Sequence, residues 1–93
     1  MRDPTVFEAA SRDESIIVRV GRNGNTAGVQ LEPPAMELTD DVLASRIVRL
    51  NTLAYLRSQL ALREEMTRNH VEAISTRLPT AAQVDAYAST IDF

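Results

Sequence analysis

The sequence predicts an α+β domain in which a three-stranded antiparallel sheet (β-β-β) precedes one long helix and a short C-terminal helix. Three observations predict it. Residues 15–31 alternate apolar and other positions on both sides of an Asn-Gly pair, the pattern of a β-hairpin. Residues 40–66 contain neither Gly nor Pro and are dominated by Leu, Ala, Arg and Glu, all good helix formers. Thr80 and Gln83 have the spacing of a helix capping box. A length of 93 residues makes one small domain. It divides into a sheet over 5–31, a linker over 32–38, the long helix over 39–67 and the C-terminal helix over 80–91.

The first strand, Thr5 to Ala10, places Phe7 and Ala9 on one face. Residues 11–14 (SRDE) are a polar turn. Ser15 to Val20 (SIIVRV) is the most strand-like stretch, rich in β-branched residues. If Asn23-Gly24 forms a two-residue turn, Arg22 faces Asn25, Val20 faces Ala27, Val18 faces Val29 and Ile16 faces Leu31. Arg19 then meets Gly28, and Ile17 meets Gln30. A slip of one residue would send the apolar set to solvent, so turn and alternation specify the same pairing. The loop GRNGN lacks the Lys and the following helix of a phosphate-binding loop. Pro33-Pro34 ends the last strand, and Met36 and Leu38 are placed to pin the start of the long helix.

Thr39 is the natural N-cap of that helix, and Asp40 and Asp41 suit its dipole in the first turn. Leu43, Ile47, Leu50, Ala54 and Ala61, widened by Leu53 and Leu60, make a core stripe. Val48, Tyr55, Leu62 and Met66 make a second apolar line, on the order of 100° around the axis. The helix would run roughly 40 Å, longer than the short strands beneath it. One sheet covers one stripe, so the second needs either the C-terminal helix or another molecule. Arg46, Arg49, Arg57, Arg63, Glu64 and Glu65 occupy the remaining circumference as a solvated face. In the C-terminal helix Val84, Tyr87, Ala88 and Ile91 form the apolar stripe.

Composition narrows the function classes. The formal net charge is −3 and all ten basic residues are Arg, a balance that does not favour nucleic acid or an anionic membrane. There is no Cys, so no disulfide and no thiolate metal site, as in a reducing compartment. No apolar run is long enough to span a bilayer, and the sequence contains no stretch with the basic start and apolar core of a signal peptide. A cytoplasmic protein with no cofactor and no metal is expected. His70 stands alone, without the company a metal or catalytic site needs. Nothing in the sequence predicts an enzyme.

The opening DPTVFEA, the hairpin SIIVRVGRNGNTAGVQL, the segment Met36-Glu37-Leu38 with residues 41–47 (DVLASRI), and Leu78-Pro79-Thr80 together resemble small actinobacterial proteins linked to type VII (ESX) secretion. The likeness is to the EspH-like secretion-associated group, without its long acidic N-terminal extension, so the chain looks closer to short single-domain relatives. More distantly, strands followed by a long helix look like the YbaB/EbfC group of nucleoid-associated proteins. That resemblance implies a tendency to dimerise and no enzymatic activity.

The expected function is therefore a non-enzymatic protein-interaction module, a chaperone or adaptor associated with secretion. Its partner would be a second copy or a related small protein, or a secretion substrate, and its interface Val48, Tyr55, Leu62 and Met66. The alternative is YbaB-like DNA binding through Arg19, Arg22, Arg46 and Arg49.

Overall fold

The β-branched run Ile16, Ile17, Val18 and Val20 favours extended backbone, and it forms the central strand. The computed structural model describes residues 6–69 and 78–93. They comprise strands β1 (Val6–Ala10), β2 (Ile16–Gly21) and β3 (Thr26–Leu31), a one-turn helix α1 (Pro33–Met36), the long helix α2 (Asp40–Arg68) and a C-terminal helix α3 (Ala81–Ala88). The sheet is an antiparallel meander in the order β1-β2-β3. The α+β arrangement predicted from the sequence is the one observed. Residues 70–77, with His70, lie outside the described residues.

The hairpin differs from the expected two-residue turn in an instructive way. Gly21 N donates to Asn25 O at 2.8 Å, and Gly24 N donates to Gly21 O at 2.9 Å. Gly24 has φ +86. This is a three-residue loop, a turn followed by a glycine in the left-handed region. Val20 therefore opposes Thr26, not Ala27. A β-bulge then restores the offset: Arg19 opposes Gly28, Val18 opposes Val29 and Ile16 opposes Leu31, as expected. Turn and bulge each shift the register by one and cancel, so the distal apolar residues stay on one face.

The stretch 32–38 is more structured than a linker. Pro33 and Pro34 occupy the first positions of α1, where a missing N–H costs nothing. Ala35 is fully buried and Leu38 packs against the core, whereas Met36 is 64% exposed. Met36 thus does not pin the helix start; Leu38 does.

α2 begins as predicted. Thr39 Oγ1 accepts from Val42 N at 3.4 Å, with Asp40 and Asp41 in the first turn. Its 29 residues correspond to about 43 Å, and the molecule measures 47 × 29 × 17 Å. A five- or six-residue strand spans only about 20 Å, so the helix overhangs its sheet. Leu50 and Ala54 are buried against Ala9, Ile16, Val18 and Val20. Among the described residues no element packs on the other sheet face. Glu8, Arg19 and Gln30 line it, with Arg19 Nε 3.7 Å from Glu8 Oε1.

α3 runs antiparallel to α2. Thr80 is its N-cap and completes the capping box with Gln83 that the spacing predicted. Its helical span, 81–88, is shorter than the expected 80–91. Ile91, beyond its end, still packs against the core, and Val84 is buried.

Candidate interaction surface

The surface is built by the mismatch between helix and sheet. α2 packs on β1 and β2 and reaches β3 through few contacts. Thr26 Oγ1 donates to Asn51 Oδ1 at 2.8 Å, and the Tyr55 ring lies against Gly24. A Cβ on Gly24 would stand 2.7 Å from Tyr55 Cε1, so that glycine serves close approach as well as its positive φ. β3 runs from these contacts toward the N-terminal end of α2. Val29 and Leu31 then follow on the sheet face turned to the helix, yet they remain 43% and 38% exposed. Opposite them, Val18 and Ile16 are fully buried.

On the same flank of α2, Val48 is 63% exposed and Tyr55 42% exposed. Leu62 and Met66, the other members of that line, are half-buried. Leu62 lines a cleft of about 170 Å³ with Phe7, Ser58 and Ala61 beneath the Arg22–Glu65 pair. α3 does not cover this flank. It lies along a third face of α2, where Leu53, Leu56 and Leu60 fall between two arginines. Arg49 Nη2 donates to Thr90 O, and Arg63 Nη1 donates to Leu78 O at 2.7 Å. The sequence assigned Leu53 and Leu60 to the sheet stripe; Leu56 it left out.

The two edges of the sheet differ. Glu8 O on β1 accepts from Arg57 Nη1 at 2.7 Å, so the helix reaches over that edge. Thr26 to Leu31 on β3 contains no charged residue and no proline, and the bulge and the following Pro33 are its main guards. Uncharged edges with exposed apolar side chains are templates for another chain.

The arginines proposed as nucleic-acid contacts are engaged within the chain, and only Arg46 and Arg49 share a partner. Arg19 pairs with Glu8 and Gln30 on the open sheet face. Arg22 Nη2 donates to both Glu65 oxygens at 2.8 Å, tying the hairpin tip to α2. The guanidinium carbons of Arg46 and Arg49 stand 4.8 and 5.2 Å from the centroid of the Phe93 ring. Arg49 also approaches Asp92 Oδ1 at 3.7 Å. Phe93 was not singled out by sequence reasoning, although two arginines one turn apart and an aromatic in the tail are the ingredients of such a stack.

The loop before β2 is tightly bonded. Asp13 Oδ1 accepts from Ser15 N at 3.0 Å and from the Ser15 and Ser11 hydroxyls at 2.8 Å. The Ser15 amide first, then the two hydroxyls, hold the Asp13 carboxyl below its ordinary value of 3.8. Ser11 Oγ accepts from Ile16 N. Glu14 carries the strain of this turn, with φ 59.

Among the described residues no group of three His, Cys, Asp or Glu side chains converges as metal ligands would. No helix among them is long and apolar enough to cross a membrane. No protein-family model, curated protein or solved structure matches the chain.

Proposed function

We propose that this protein is a non-enzymatic interaction module that works as a dimer, with a second copy or a related small chain as partner. One observation carries the reading: Val29 and Leu31 on the edge strand β3, together with Val48 and Tyr55 on α2, leave apolar surface uncovered. Exposed apolar surface of this kind supports an interaction site. The interface is thus broader than the Val48, Tyr55, Leu62 and Met66 line and draws in β3. The resemblance to ESX-associated proteins supports a cytoplasmic chaperone or adaptor role in type VII secretion. The engaged arginines and the net charge of −3 weigh against YbaB-like DNA binding, which relies on free cations facing phosphate.

Light scattering behind a sizing column tests the proposal. At about 10 μM, a concentration at which a functional dimer is populated, the wild type should have twice the 10.3 kDa chain mass. Tyr55→Asp and Val48→Asp should elute as folded monomers. A monomeric wild type rejects the homodimer.

A further inference from the structure

The last residues of the chain are held by a group of contacts that the interaction surface does not use. The Phe93 ring packs beneath the guanidinium groups of Arg46 and Arg49. Phe93 O accepts from Arg12 N at 2.9 Å, which ties the tail to the β1–β2 turn. Thr90 O accepts from Arg49. These contacts converge on residues 90–93, beyond the end of α3.

α3 itself is poorly equipped to stay in place. It has eight residues, too few for a helix to persist without tertiary support. Only Val84 within it is deeply buried. The Asp92 side chain that meets Arg49 is 82% exposed, and exposed ion pairs contribute little. The core under the sheet, by contrast, is closed by Ile16, Val18, Val20, Leu50 and Ala54, all at 0% exposure, with β2 and α2 supplying all five.

We infer that residues 81–93 form a releasable strap, latched where Phe93 sits under Arg46 and Arg49, whose opening bares the Leu53–Leu56–Leu60 face of α2 while the sheet and α2 stay folded. The bared face is the one on which α3 rests. It lies on a different side of α2 from Val48 and Tyr55, and the strap stands or falls independently of the proposed dimer.

The chain has no cysteine, so single introduced thiols report opening cleanly. Leu56→Cys beneath the strap should react with a thiol reagent under native conditions. Ala54→Cys beneath the sheet should react only on global unfolding. Adding Phe93→Ala should speed labelling at Leu56→Cys by about tenfold, the equivalent of two lost guanidinium–ring contacts, and leave Ala54→Cys unchanged. Equal acceleration at both positions overturns the strap, as does no acceleration at Leu56→Cys or a Phe93→Ala chain that fails to fold. Hydrogen exchange on the unsubstituted chain gives a second reading. Amides of 81–91 should exchange faster than those of 50–58, and equal protection of the two stretches contradicts the inference.

Discussion

Val18 and Val29 are cross-strand partners on one face of one sheet, yet one is fully buried and the other is 43% exposed. Both satisfy the same alternation rule and carry the same side chain. They differ in what lies above them. α2 passes over β1 and β2, where Leu50 and Ala54 complete the core, and meets Thr26 of β3 through Asn51 and the hairpin loop through Tyr55. A pattern of alternation tells a side chain which way to point; the reach of the next layer determines whether it is buried. The two halves of this sheet accordingly differ in cover, one closing the core and the other leaving apolar side chains exposed.

Breaking the covered half should have the largest effect. Leu50→Ala removes a fully buried side chain and should lower unfolding free energy by about 2–5 kcal/mol in a urea titration. Disturbing the hinge between the halves comes next. Gly24→Ala puts a Cβ against Tyr55 at positive φ and should cost about 1–3 kcal/mol, with a change in tyrosine fluorescence, read in a Tyr87→Phe background, as the Tyr55 ring is displaced. On the uncovered half, Val29→Thr should change monomer stability by no more than about 0.5 kcal/mol, measured where the protein is dilute. A loss as large as that of Leu50→Ala would mean that β3 is covered after all.

The smallest effect at neutral pH belongs to the Asp13 turn. The folded carboxyl titrates below its ordinary value of 3.8, so ionised Asp13 favours the folded state. That contribution is fully present above 3.8 and is lost as pH falls through the lowered folded value. Asp13→Asn should therefore flatten the acid side of a plot of Tm against pH and leave the neutral region nearly level. An unchanged acid slope would show that the turn does not sense the charge.

Local rules made much of this fold legible. The β-branched run, the uninterrupted helix, Thr39 as N-cap and the Thr80–Gln83 box each depend on neighbours a few residues apart, and each is where the sequence places it. The strand pairing was legible despite a wrong turn, because the bulge at Ala27 cancels the extra loop residue. What escaped depends on tertiary placement. Nothing near Pro33 announces that Ala35 will be buried. Nothing around Val29 and Leu31 says that the helix will leave them exposed. The tail was a candidate cover for the Val48–Tyr55 line; it chose Leu53, Leu56 and Leu60 because Arg49 and Arg63 reach its backbone there. Phe93 finds Arg46 and Arg49 across more than forty residues, beyond any periodicity.

Hydrogen exchange of residues 26–31 as a function of protein concentration tests the central claim most directly. If the β3 edge and the Val48–Tyr55 flank form an interface between copies, protection of this stretch should rise with concentration while that of 16–20 stays constant. Exchange in 26–31 that is fast and independent of concentration would contradict it.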